Sequence, residues 1–320
     1  MSTTDKLLQL VIVIALFLGV MVAVLLIADR LRTRRGEVLQ TAAFVLPAVL
    51  MIMFGLLYPG LRTIYESFRD ASSTEFIGLD NYRTIFTDEN QLGVLRNTAV
   101  WVVLTPIAAT FIGLLYAILV DKARFEKVAK ALVFLPMAIS LVGASLIWKF
   151  VYDYRSAENP QIGILNEILQ LMGLDTYRFL LTEPWNTLFL VVIMIWVQAG
   201  FAMTVLSASI RAIPGDIIDS ARLDGVSPLQ MFRHITIPMI RPSLIVVLTT
   251  ISIATLKVFD IVRTATGGNF DTSVLAYEFY VQSFRSFNAG LGAALAVLLF
   301  VLVTPIVIYN IRQMRRLEAR

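Results

Sequence analysis

Apolar residues run along this chain in seven long stretches, near positions 7–28, 39–59, 98–120, 131–152, 187–210, 243–262 and 289–310, separated by polar segments. A bilayer core of about 30 Å takes roughly 20 residues of helix, so each stretch is long enough to cross it. A helix also satisfies its own backbone hydrogen bonds in lipid, where water cannot. The pattern predicts an all-α membrane protein with about seven transmembrane helices. The first stretch is apolar over 22 residues and ends in Ile27-Ala28-Asp29-Arg30. That is long for the core of a signal peptide, and the segment is expected to be retained as an anchor.

The polar segments fall into two alternating sets. One set carries Arg30, Arg32, Arg34 and Arg35; Lys122, Arg124, Lys127 and Lys130; Arg211, Arg222, Arg233 and Arg241; and Arg312, Arg315, Arg316 and Arg320, sixteen basic residues in all. The other set, 1–6, 60–94, 153–186 and 263–288, is longer but holds eight. Lys and Arg mark the cytoplasmic side, so the basic set is expected inside, with the amino terminus outside and the carboxyl terminus inside. The loops 60–94 and 153–186 are too short for independent domains. The expected organisation is an anchor and basic loop over 1–38, then one transmembrane domain over 39–320 containing a prominent basic-side loop at 211–242.

Composition narrows the functional classes. The chain is 58% hydrophobic and 16% charged, with a mean hydropathy of +0.77, far from a soluble domain. It has no cysteine and one histidine, His234, which leaves no thiolate or histidine-rich metal site. A net charge of +4 is spread between apolar runs rather than gathered on one face, so nucleic acid is not an expected partner. No G-x-x-x-x-G-K-[ST] loop occurs, so the chain is expected neither to bind nor to hydrolyse ATP. Paired carboxylates and nucleophile–base arrangements are absent from the apolar stretches, which argues against a membrane enzyme.

The loop 211–242 reads as two short helices. Pro214 suits a first turn, Asp216 and Asp219 lie near the positive end of the helix dipole, and Gly225 can end the helix with a positive φ. Ser227, Pro228 and Gln230 then have the spacing of a capping box. Ile217, Ile218, Ala221, Leu229 and Phe232 give an apolar side to a charged loop, a surface suited to a partner. The alternative is a helix lying on the membrane surface.

Asp219-Ser220-Ala221-Arg222-Leu223-Asp224-Gly225, followed by Phe232, Ile235, Ile237-Pro238 and Pro242, resembles the EAA loop of binding-protein-dependent ABC importer permeases. Here Asp-Ser-Ala stands where that pattern has Glu-Ala-Ala, which shortens one carboxylate arm and keeps its charge. Further stretches resemble sugar permeases of the maltose and α-glucoside type: Phe76-Ile-Gly-Leu-Asp-Asn-Tyr82, Leu95-Arg-Asn-Thr98, Phe134-Leu-Pro136, Phe259-Asp-Ile-Val262 and Thr266-Gly-Gly-Asn269.

The resemblance implies a type I (MetI-like) permease fold and a loop, carried by Asp219, Ser220, Ala221, Asp224, Gly225, Phe232 and Pro238, that docks on a cytoplasmic ATPase. It also places Gln198, Phe201, Thr250, Ala254 and Lys257 along a sugar path. Amide, hydroxyl and ammonium groups suit sugar hydroxyls, and an aromatic ring suits the apolar sugar face. Structural readings stand beside these: Gln198 bonding a neighbouring helix, Thr250 bonding the carbonyl one turn back, and Lys257 pairing with Asp260 three residues on.

The implied partners are a second homologous permease, a homodimer of ATPase subunits holding ATP and Mg, an extracytoplasmic sugar-binding protein, and membrane lipid. The implied solute is a sugar such as maltose, trehalose or sucrose, imported across the inner membrane by alternating access. The alternatives are an ABC permease for another solute, such as glycerol 3-phosphate, and an ion-coupled carrier, whose buried mid-membrane carboxylates are not evident here.

Overall fold

The computed structural model describes residues 45–120, 124–156 and 158–318, with isolated positions between 11 and 41. Most of the expected span 7–28 and all of the basic loop 29–38 lie outside the described residues. The chain divides into two compact units, Met1–Tyr65 and Glu66–Arg320.

Helix α1, Val45–Glu66, closes the first unit. It contains a π-helical turn, Met53–Leu57, just before Pro59. A proline ring crowds the carbonyl four residues earlier and offers it no N–H, and a wider turn relieves both.

The second unit is helical, and its only β feature among the described residues is an isolated bridge between Arg69 and Phe76. In chain order it holds α2 (Asp80–Thr87), α3 (Glu89–Val120), α4 (Glu126–Phe134), α5 (Leu141–Val151), α6 (Ile164–Leu171) and α7 (Trp185–Arg211). These are followed by α8 (Gly215–Leu223), α9 (Pro228–Leu256), α10 (Asp260–Ala265), α11 (Leu275–Tyr280) and α12 (Ala289–Glu318). Among the described residues five helices (α1, α3, α7, α9 and α12) are long and apolar enough to cross a membrane, and the bent pair α4–α5 can supply a sixth. Six of the seven expected spans thus have counterparts.

Two of them differ in extent or continuity from the spans expected. The stretch 131–152 is broken: α4 passes through a 3-10 turn, Leu135–Ala138, and α5 leaves at 105°. Pro136 lies in that turn, and Ser140 restarts the helix by accepting from the Gly143 N–H at 3.1 Å. The stretch 243–262 is displaced. Its helix begins at Pro228 and stops at Leu256, and Asp260 opens a separate helix.

Helix α7 is the hub, packing on α3, α4, α5, α9 and α10. Its contact with α3 is a meeting of backbones. A Cβ built on Gly113 would lie 2.4 Å from the Ala202 Cβ and 2.7 Å from the Met203 backbone N. One turn away Gly200 plays the same part, where a Cβ would lie 2.5 Å from the Val133 carbonyl oxygen and 2.9 Å from the Phe134 Cα. Lipid supplies no hydrophobic drive between helices, so close packing of small residues has to supply the association. Around this seam Ala109, Ala117, Met203, Leu206, Ile240 and Ile251 form one buried cluster. A second, toward the other end, joins Trp101, Tyr152, Leu190, Met194, Ile261 and Tyr277.

The loops of the second unit gather at two ends. At one, Ala289 N donates to Ala71 O at 2.8 Å and Asn186 Nδ2 to Phe270 O at 2.6 Å, while Asn97 Nδ2 donates to Asp271 O at 2.7 Å and Ser273 O at 3.1 Å. The sparsely basic segments therefore meet. At the other, Glu126 bridges Lys130, at 2.9 Å, and Arg211, and Lys130 Nζ donates to Ser207 Oγ at 2.6 Å. The basic segments 124–130 and 211–242 share that end, as the charge alternation predicts.

At the sparsely basic end Asp70 organises a tight loop by accepting from Ser72 Oγ at 2.5 Å, Thr74 N at 2.6 Å and Glu75 N at 2.9 Å. These bonds, that from Ser72 foremost, hold its carboxyl well below the usual carboxylate range.

Replacing Gly113 by Leu is expected to force α3 away from α7 and cost about 1–3 kcal/mol, as overpacking of a tight contact does. A lowered thermal midpoint of the purified protein, with Gly60→Leu in α1, where an added Cβ meets nothing within 4 Å, as comparison, measures it.

Candidate functional site

The basic-end loop is built by local sequence. Pro214, extended at ψ 132°, is the N-cap of α8 rather than its first helical residue. The helix ends where Gly225 takes φ +74°, with Val226 N bonded to Ala221 O at 3.1 Å and Gly225 N to Arg222 O at 3.1 Å. Ser227 then caps the next helix through a complete capping box: Ser227 N donates to Gln230 Oε1 at 2.9 Å, and Gln230 N to Ser227 Oγ at 3.4 Å. The second short helix expected here is instead the first turn of α9, joined to the span through a π-helical turn, Phe232–Thr236. Pro238 follows that turn as Pro59 follows the one in α1, and α9 runs on without a break from Pro228 to Leu256.

The expected apolar face is split in two. Ala221 is buried, and Ile218 and Phe232 line a crevice of about 330 Å³ shared with Ala117 and Ile118 of α3 and Ile210 of α7. Those three fasten the loop to its own bundle. Leu229 is 75% exposed and Leu223 90% exposed. Leu223 was missed as an apolar contact in the sequence because it sits between Arg222 and Asp224. Ser220, Asp219 and Asp224 are exposed beside it, Asp219 in an i,i+3 pair with Arg222 at 3.1 Å. The loop thus presents two bare leucines ringed by carboxylates.

The second group lies in the spans. Gln198 and Phe201, three apart on α7, share a face, and Thr250, Ala254 and Lys257 form a stripe along α9 ending at its C-cap. Other hydroxyls of α9 are tied to the carbonyl one turn back: Thr249 to Ile245 at 2.8 Å, Ser252 to Leu248 at 2.8 Å and Thr255 to Ile251 at 2.7 Å. Thr250 makes no such bond and is exposed. Gln198 and Lys257 likewise have no hydrogen-bonding partner among the described residues, which removes the bond from Gln198 to a neighbouring helix of this chain. Lys257 and Asp260 stand on different elements and form no ion pair among the described residues, against the pairing their spacing suggested. Two of these residues lie on α7 and three along the second half of α9 and its C-cap, away from the α8–α9 turn.

Residues 109–316 match the family of the binding-protein-dependent transport system inner membrane component. The chain is 47% identical over 275 residues to the osmoprotective compounds uptake permease protein GgtC of Synechocystis sp., covering 86% of this chain and 99% of that one. It is 42% identical over 274 residues to the alpha-glucoside transport system permease protein AglF of Rhizobium meliloti, covering 85% and 82%. Its fold is similar to that in the crystal structure of a bacterial alginate ABC transporter in complex with alginate pentasaccharide-bound periplasmic protein. The TM-score is 0.73 at 24% identity, over 87% of this chain and 94% of that one.

Gly225→Val puts a β-branched residue where φ is +74°, at a cost of about 1–3 kcal/mol, and is expected to unseat the α8–α9 junction. Faster hydrogen exchange at Val226 and Ser227, with the α3–α7 seam unchanged, is the expected result.

Proposed function

The chain belongs to the family of binding-protein-dependent transport system inner membrane components, and on that premise we propose that it imports a carbohydrate of the α-glucoside or disaccharide class. It is an ABC importer permease, a multi-pass inner-membrane transport component, and this sets the ion-coupled carrier aside. In our reading it pairs with a second, homologous permease, is driven by two ATPase subunits that hold ATP and Mg, and receives solute from an external binding protein. The α-glucoside permease among its relatives supports the solute class. The basic end faces the cytoplasm, in keeping with the division of Lys and Arg between the two ends.

One observation carries the path: Gln198, Thr250 and Lys257 leave their polar groups without partners among the described residues, on spans where lipid would penalise them. Such groups belong at a wet interface between two permeases, where amide, hydroxyl and ammonium bond sugar hydroxyls in place of water. Phe201 offers the aromatic face, and Ala254 keeps the stripe on α9 narrow between Thr250 and Lys257. At the basic end, Leu223 and Leu229 enter an apolar recess of the ATPase while Asp219 and Asp224 bond its rim. Closure of the ATPase dimer pulls α8, and the continuous α9 conveys that movement to Thr250 and Lys257.

Uptake of labelled maltose, trehalose and sucrose by cells lacking only this chain tests the solute class. Lys257→Met and Thr250→Val are expected to assemble and yet change uptake or sugar preference, and parental uptake of every sugar by both would remove the stripe from the path. Asp219→Ala is expected to weaken the ATPase contact about tenfold, the loss of one charge-assisted hydrogen bond. Co-purification of the ATPase with sugar-stimulated ATP hydrolysis measures it. In this cysteine-free chain, single cysteines at Ser72, Ser156, Ser227 and Ser286 fix the orientation: Ser227→Cys alone should resist an impermeant label on intact cells.

A further inference from the structure

The stripe of Thr250, Ala254 and Lys257 ends at the turn between α9 and α10, and there the chain gathers positive charge. Lys257 is exposed and has no partner among the described residues. Two residues on, Phe259 is the N-cap of α10, and Arg263 one turn later lies over the Phe259 ring at 5.4 Å and over the Tyr280 ring at 4.8 Å. Lys149, exposed on α5, donates to the carbonyl of the next residue, Thr264, at 3.3 Å and so brings a third cation to the same place. Asp260 is the carboxylate of this turn, and it forms no ion pair with any of them among the described residues.

The way Arg263 is held is a separate observation. The Phe259 and Tyr280 rings meet edge to face at 5.2 Å, and the guanidinium lies against both. Aromatic rings attract its charge but give its N–H groups no strong acceptor. Arg263 is exposed and makes no hydrogen bond or ion pair among the described residues, whereas at the same end Arg69 donates to the Ser73 carbonyl at 2.7 Å and Arg96 pairs with Asp271. The guanidinium is thus fixed in position with its donors unspent. A group held this way loses little freedom when a ligand binds.

The element beneath it is firmly seated. Helix α10 packs on α5 and α7 and buries Ile261, Val262 and Ala265, which leaves Arg263 on its open side. Close to a low-dielectric body, cations grouped at a mouth raise the local concentration of anions.

We propose that the outer end of the path selects a glycoside carrying an acidic group such as a carboxylate, with Arg263 as the specificity-determining residue and Lys149 and Lys257 adding positive field. The inference rests on the carbohydrate reading above and narrows its solute class. A guanidinium can bond both oxygens of one carboxylate at once, and an ammonium acts on it as a point charge. A neutral disaccharide leaves those charges to water.

The test compares maltose with maltobionate, the same α-glucoside with its reducing end oxidised to a carboxylate. Binding of each labelled probe to the complete transporter in phosphatidylcholine nanodiscs, without binding protein, is read by equilibrium dialysis at low and high ionic strength. The parent should hold maltobionate about tenfold more tightly than maltose at low salt, with the ratio falling as salt rises. Arg263→Gln together with Lys149→Gln should bring the ratio to about one, while Arg263→Lys, which keeps the charge and loses the fork, should retain part of it. Co-purified ATPase reports intact assembly of each variant. Equal binding of the two probes by the parent, or an undiminished ratio in the double variant, would overturn the proposal. So would a preference erased by adding phosphatidylglycerol to the nanodisc, which would give these cations to the membrane surface. Uptake of neutral sugars without preference for the acid sinks this inference alone, whereas failure to take up any sugar sinks the carbohydrate reading with it.

Discussion

The second unit depends on two helix backbones touching. Where Gly113 of α3 meets Ala202 of α7 there is no room for one more methyl group, and at Gly200 the broken helix α4 is seated just as closely. In water a bundle can rely on burying apolar surface, but in a bilayer the lipid tails compete for the same contacts and only tight packing favours helix over lipid. Because α7 carries both seams, it fixes α3 on one side and the α4–α5 break on another. Placing α7 also places Gln198 and Phe201 and brings Arg211 to Glu126 at the basic end.

The two ends of the unit are made differently. The sparsely basic end is held by side-chain amides that reach into loops: Asn81 donates to the Ser67 and Arg69 carbonyls, Asn97 to the Asp271 and Ser273 carbonyls, and Asn186 to the Phe270 carbonyl. Each saturates backbone groups that an irregular loop would otherwise leave bare. At the basic end a helical turn, a left-handed glycine and a capping box do the same work within one stretch of chain. The first arrangement gives a rigid surface. The second gives a short turn that leads straight into a span and leaves Leu223 and Leu229 exposed among charged side chains.

Several of the stretches that suggested a sugar permease turn out to be architectural. In Leu95-Arg-Asn-Thr98, Arg96 pairs with Asp271, Asn97 holds two carbonyls, and Thr98 Oγ1 accepts from Leu275 N at 2.9 Å, so the polar part of the motif is a clamp on the segment after Thr266. Asn81 and Tyr82 of Phe76–Tyr82 hold Ser67, and Phe134-Leu-Pro136 is the break beside Gly200. These residues keep the fold in register, and none of them is among the groups proposed for the solute path.

The sequence by itself determined the class of fold, the alternation of basic and non-basic ends, and the local chemistry of the loop at Gly225 and Ser227. Each follows from interactions within a few residues or from a single transfer of a segment into lipid. It could not show that 131–152 breaks at 105°, since Pro136 alone is compatible with a mild kink and the bend is seated by Gly200 on another helix. Nor could it separate Thr250 from Thr249 and Thr255, which read alike along the chain; the latter two are buried and bond the carbonyl one turn back, and Thr250 does neither. The apolar loop residues divided the same way, Ile218 and Phe232 turned inward and Leu229 left bare, because the ends of α3 and α7 cover one side of the loop. A cleft at the sparsely basic end, between the start of α3 and the segment 266–273, was illegible for the same reason. Glu89, Glu183, Asp271 and Glu278 come from four separate segments, and only the close packing of α3 and α7, with the clamps at their ends, brings them to one place.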